Sequence, residues 1–154
     1  MPMKTIYAPL ADSPSYNRIL QLLSQADTSG ASVLADGCVA SQKLHLMGAL
    51  SSDDRLHDRA RFRLILTYSD LRAREIAEEY SFYDRNTLLY PAKDLIFFQA
   101  DLRGREIETE RIRCLRRIIE GRPTTIITTF AALMTPQIPL RTLRDSVLRI
   151  EKRG

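Results

Sequence analysis

Three short β-prone runs, FRLILTY (62–68), TLLYP (87–91) and TTIITT (124–129), are separated by stretches of helical periodicity, and this alternation constrains the fold more than any other feature. A strand followed by a helix-length connection rejoins its sheet in parallel, with the connection lying on one face. A fourth run, ASVLAD (31–36), precedes these three. The sequence therefore predicts an α/β domain with a mostly parallel sheet of about four core strands, near 32–36, 62–68, 86–90 and 124–128, flanked by helices. The near-continuous apolar character of FRLILTY predicts a strand buried on both faces, and Pro91 ends the next one.

The helices follow from caps and periodicity. Ser13 and Pro14 suit the start of a helix whose Tyr16, Ile19, Leu20 and Leu23 share a face, and DTSG stops it. SQKLHLMGAL (41–50) predicts a helix with Leu44, Met47 and Leu50 turned inward, and SSDDRLHDRAR reads as a surface connection. Ser69 caps a helix reaching about Tyr80, with Leu71, Ile76 and Tyr80 as its inward residues. AKDLIFFQADLRG (92–104) has no clear period and a closing glycine, which predicts a structured excursion. From Glu106 to Glu120 the pattern is helical, with Ile107, Cys114, Leu115 and Ile118 on one stripe; Gly121 and Pro123 stop it. FAALM makes a short helical turn closed by Pro136 and Pro139. DSVLRIEKRG is a strand or a helix end; as a strand it leaves the domain, so 144–154 reads as the start of a connection to a further subdomain. Residues 1–154 otherwise make a single domain.

Charge and cysteine usage narrow the function classes. The formal net charge is +4, but the basic residues interleave with acidic ones, as in REIETERIRCLRRIIEGR, which is the pattern of a solvated helix face. Cys38 and Cys114 lie far apart and have no companion spacing for a metal, so small thiols in a reduced, cytoplasmic protein explain them. No apolar run reaches the eighteen or so residues of a membrane span, and no signal-peptide block opens the chain.

DGCVASQKLHL (36–46) is the one motif with chemical content. Set against G-x-x-x-x-G-K-[ST], Gly37 matches the first glycine and Lys43 the lysine, with Ser41 inside the loop. Gln42 replaces the second glycine, and Leu44 replaces the hydroxyl that would hold magnesium. No acidic pair follows any predicted strand to supply the other metal contact. Gly37, Ser41, Gln42, Lys43 and Leu44 thus form a degenerate phosphate loop that is not expected to bind nucleotide, and no cofactor or metal is expected. His45 and His57 are a candidate general base or, more simply, packed or solvated side chains. Asp53, Asp54 and Asp58 alternate with basic residues, as surface balance does. No catalytic residue is assigned.

Taken together, ADGCVASQKLHLMGAL, LILTYSDLRAREIAEEYSFY, LLYPAKDLIFFQADLRGREIETERIRCLRRI and TIITTFAALMTPQIPL resemble the amino-terminal UvrB-homology module of the bacterial transcription-repair coupling factors, over about residues 14–154. The resemblance implies a P-loop NTPase-like, RecA-like fold similar to the first subdomain of UvrB, with a nucleotide site that has decayed. It implies a structural and docking role in transcription-coupled DNA repair. The partners it implies are the adjoining domains of a larger protein, and UvrA through the neighbouring subdomain. RNA polymerase, DNA and ATP-driven translocation belong to the parent protein, and no membrane is involved.

Two surfaces complete the expectations. Tyr90, Ile96, Phe97 and Phe98 are candidates for an interdomain face, with base stacking as the alternative for the phenylalanine pair. Arg111, Arg113, Arg116 and Arg117 are the candidate basic patch. The rival readings are a small ATP-binding P-loop protein with an atypical loop, and a basic DNA-binding module whose affinity falls steeply with salt.

Overall fold

Thr124–Thr129 is buried at all six positions, and the sheet is arranged around it. The computed structural model describes residues 6–26, 30–57, 62–93, 101–137 and 139–145. In chain order the elements are α1 (Ala8–Ala11), α2 (Pro14–Ser24), α3 (Ala40–Ser52), α4 (Asp54–His57), β1 (Phe62–Thr67), α5 (Asp70–Ser81), β2 (Thr87–Tyr90), α6 (Asp101–Ile119), β3 (Thr124–Thr129), α7 (Phe130–Met134) and α8 (Leu140–Asp145). The three strands form a parallel sheet in the order β1-β3-β2.

The two crossovers run in opposite directions across the sheet, so right-handed connections place α5 and α6 on opposite faces. The side chains agree with that geometry. Ile65, Ile127 and Leu89 stand in register and pack with Ala73, Ile76 and Tyr80 of α5 and Leu44 of α3. Ile126 and Leu88, one residue earlier on each strand, pack with Cys114, Leu115 and Ile118 of α6. A strand rich in threonine survives at the centre because each buried hydroxyl has a partner. Thr124 donates to the Arg122 carbonyl, Thr125 to the Asp84 carboxylate, Thr128 to the Tyr90 carbonyl and Thr129 to the Asp70 carboxylate.

The caps are those the sequence predicts. The Ser13 and Ser69 hydroxyls accept the Tyr16 and Arg72 backbone N–H groups at the heads of α2 and α5. Gly121 adopts φ +64, and the Arg122 N–H returns to the Arg117 carbonyl at 3.1 Å, closing α6. A second glycine has a steric role: a Cβ on Gly48 would stand 2.7 Å from the Tyr7 hydroxyl oxygen and 3.0 Å from the Tyr83 ring, so the absent side chain lets α3 approach the tyrosine cluster.

Several expectations are corrected. The sheet has three strands among the described residues, because 30–39 pairs with none of them and lies instead along α2 and α3, with Leu34 93% exposed. β-propensity without a free ladder partner does not make a strand. β1 is not buried on both faces. It is an edge strand, and α6 covers β2 and β3 but leaves Phe62, Leu64 and Leu66 exposed, Leu64 at 55%. Leu71 faces solvent on α5, while Ala73, Ile76 and Tyr80 make the buried stripe. Helix α6 begins at Asp101 and takes in Gly104, which the sequence placed at the end of a loop; a nineteen-residue helix tolerates the roughly 1 kcal/mol such a glycine costs. The stretch after α3 contains the short helix α4, whose first turn is held by the Asp53 carboxylate accepting the Arg55 N–H at 3.0 Å. Asp145 ends helix α8, and 146–154 lie outside the described residues.

Candidate functional site

The head of α3 carries the five loop residues, and its geometry shows what they do. Gly37 takes φ +78, and its N–H donates to the neighbouring Asp36 carboxylate at 2.6 Å. A protein carboxylate therefore occupies a donor that a phosphate loop would aim at its ligand. Val39 precedes the helix, and its N–H donates to the Gln42 side-chain oxygen at 3.1 Å. Gln42 thus satisfies one of the backbone donors left over at a helix start. Ser41 and Lys43 are exposed. Leu44 is 3% exposed and belongs to the core with Ala73, Ile76, Tyr80 and Ile127. The position where a phosphate loop holds its metal is here a packing position. Because no strand leads into the loop, the helix head also lacks the strand-loop-helix setting that the motif requires.

Beside this loop a groove of about 820 Å³ runs between α2, α3 and residues 33–38. Ile19, Leu22, Val33 and Leu46 make its apolar walls, and Gln42 and His45 stand at its polar side. His45 is half-buried among aromatic rings, 5.1 Å from Tyr7 and 6.0 Å from Tyr83 between ring centres. Behind them Tyr16 is held up at about 12, by burial first and then by the Asp53 charge. Asp53 itself is drawn below the usual carboxylate value, chiefly by its hydrogen bond from Arg55 at 2.9 Å. This is a structural knot around a paired carboxylate. Among the described residues no group of three or more His, Cys, Asp or Glu side chains is placed to hold a metal.

The carboxyl ends of parallel strands are the other place to look. Ser69 is spent on the cap of α5, and Asp70 accepts the Thr129 hydroxyl at 3.1 Å. Thr129 in turn accepts the Ala132 N–H at 3.2 Å, so α5, β3 and α7 are hooked together by one short chain of hydrogen bonds. Around it the large apolar side chains Tyr68, Leu71, Phe130 and Met134 are exposed, and Phe62, Leu64 and Leu66 extend the exposed set along β1. Sequence reasoning missed this surface. The signal is present in FRLILTYSDL, whose unbroken apolar run fits two buried faces but here makes one half-buried face and one bare.

The two predicted surfaces change membership. Tyr90 is buried under the α6 face of the sheet, and Ile96, Phe97 and Phe98 lie outside the described residues. The arginine patch splits. Arg111 is 4% exposed; its Nη1 donates to the Pro91 carbonyl at 2.8 Å and to the Ala132 carbonyl at 3.5 Å, and its guanidinium lies 4.3 Å from the centre of the Tyr90 ring. Arg113 is exposed, Arg117 is half-buried, and Arg116 is engaged with Glu120 at 2.7 Å. The spacing 107, 111, 114, 118 already put Arg111 on the buried stripe of α6.

No protein-family model, curated protein or solved structure matches this chain. The α/β architecture with its open parallel sheet therefore rests on the coordinates alone. No helix among the described residues is long and apolar enough to cross a membrane.

Proposed function

We propose that this chain is a non-catalytic structural and docking module of the transcription-repair coupling type, which holds an adjoining subdomain in place for recruitment of the UvrA repair subunit. The observation that carries the reading is the bare apolar surface formed by Phe62, Leu64 and Leu66 on β1 with Tyr68, Leu71, Phe130 and Met134 at the carboxyl end of the sheet. A row of large exposed apolar side chains along an edge strand, with others exposed beyond the carboxyl ends of the strands, marks a surface that another protein body covers. The loop at 36–44 supports the same reading, since two of its donors, the Gly37 and Val39 N–H groups, and the Leu44 side chain are committed to the chain's own structure. The DNA-binding alternative loses support because Arg111 is buried and Arg116 is paired.

The test is UvrA binding by this chain joined to its adjoining subdomain, compared with the Leu64→Lys, Phe130→Lys double variant. Removing two apolar anchors of about 1.5 kcal/mol each should weaken recruitment at least tenfold. Equal binding by both, or binding by the isolated module unaffected by these substitutions, would remove the basis of the proposal.

A further inference from the structure

The β-prone run at 31–36 joins no strand among the described residues and lies instead along α2 and α3. Gly37, at φ +78, then turns the chain towards the head of α3. This unpaired run is what makes the groove: together with the two helices it walls in about 820 Å³.

Three walls set the groove apart from the bare face of β1. Protein partners cover broad patches of about 800 Å² a side, whereas small molecules take concave sites of about 300–1,000 Å³ with apolar walls and a few polar groups. The groove is of the second kind. Ile19 and Leu22 come from α2, Val33 from the unpaired run and Leu46 from α3. Leu22 is exposed and the other three are only half-buried, so they still offer apolar surface for a ligand to cover.

Charge selects the ligand. Arg18 belongs to the same lining, exposed and four residues before Leu22 on one stripe of α2. Its Nη1 donates to the Gln21 side-chain oxygen at 2.9 Å, an acceptor without charge, so that contact does not neutralise the guanidinium. Asp36, the carboxylate of the lining, already accepts the Gly37 N–H at 2.6 Å. A molecule with an apolar body against Ile19, Leu22 and Leu46 and an anionic head at Arg18 meets both the walls and the charge. An apolar cation or a wholly polar anion meets one of them.

We propose that the groove between α2 and α3 binds a small amphipathic carboxylate of the medium-chain fatty acid kind, at a site separate from the docking surface on β1. The head pairs with Arg18 and the chain lies along α2 towards Leu22. Octanoate is the probe, with octanol, octylammonium and butyrate as controls, followed by calorimetry and by the backbone amide resonances of the chain. Octanoate should bind saturably and move the amides of Ile19, Leu22, Val33 and Leu46, and octylammonium and butyrate should bind more weakly. Arg18→Gln, a change at an exposed position, should weaken octanoate roughly two- to fivefold, the range of an exposed ion pair, and leave octanol unchanged. Leu22→Gln should weaken octanoate and octanol alike. The site would be overturned by octanoate failing to saturate, by resonance shifts centred on Leu64 and Phe130, or by octylammonium binding as tightly as octanoate. Octanoate binding to Arg18→Gln as it does to the wild type would overturn it equally.

Discussion

The side-chain oxygen of Gln42 accepts the backbone N–H of Val39 at 3.1 Å, so a protein group already fills a donor that a phosphate loop would present to its ligand. Two residues later Leu44 is part of the core. Restoring the motif letter by letter should therefore fail. Gln42→Gly should lose roughly 1 kcal/mol of stability, through the lost cap and the glycine itself, without gaining nucleotide affinity. Leu44→Thr, which supplies the metal-binding hydroxyl, should cost about 2 to 4 kcal/mol by emptying part of the core and burying a hydroxyl there. Chemical denaturation of the two variants measures both losses.

Asp84 holds the amino-terminal end of the sheet together. Its carboxylate accepts the Thr125 hydroxyl at 2.7 Å and the Asn86 N–H at 2.8 Å, and it faces Arg63 at 3.7 Å. Asp84→Ala should destabilise the fold by roughly 2 to 3 kcal/mol, because a buried threonine hydroxyl on the central strand loses its acceptor. Asp84→Asn keeps an acceptor and should cost less, and urea unfolding midpoints of the two variants give the comparison.

Asp53 provides a pH signature. Its hydrogen bond from Arg55, aided by the Tyr16 hydroxyl, lowers its folded-state pKa below the ordinary 3.8. A lowered carboxylate pKa contributes stability above the unfolded value and loses it as pH falls through the folded one. The stability difference between wild type and Asp53→Asn should accordingly be small, since the Arg55 side chain is largely exposed, be fully present at pH 7, and shrink as pH falls below the ordinary carboxylate value. Unfolding curves of both proteins from pH 7 to pH 2 test this.

The two thiols should separate. Burial first, and the Glu110 charge second, push Cys114 from 9.0 to about 12, and its S–H donates to the Leu89 carbonyl. Cys38 is free and half-buried in the segment beside the α2–α3 groove. Iodoacetamide with mass-spectrometric readout should label Cys38 in the native protein and Cys114 only on unfolding. Since the raised thiol pKa favours the fold below pH 9, this contribution should fade as pH climbs towards 12.

What was legible in the sequence was local. Ser13, Ser69 and Gly121 mark helix ends because a cap is made with residues a few positions away, and Thr87–Tyr90 and Thr124–Thr129 are strands where the sequence places them. What was not legible depended on partners distant in the chain. ASVLAD has the composition of a strand but no ladder to join, and FRLILT has the composition of a central strand but stands at an edge. The loop at 36–44 reads as a damaged nucleotide site, whereas the burial of Leu44 depends on Ile127, eighty-three positions later by the numbering. Arg111 was assigned to a basic surface by the company of its neighbours in RIRCLRR, although its own spacing from Ile107 and Cys114 placed it inside.

The central claim is that the head of α3 serves the fold and holds no nucleotide. The most direct measurement is thermal unfolding of the chain with and without millimolar Mg-ATP, with Lys43→Ala alongside. An unchanged midpoint in both proteins is the predicted result. A rise of roughly 5 to 10 °C that disappears in Lys43→Ala would contradict it and return the loop to the nucleotide-binding class.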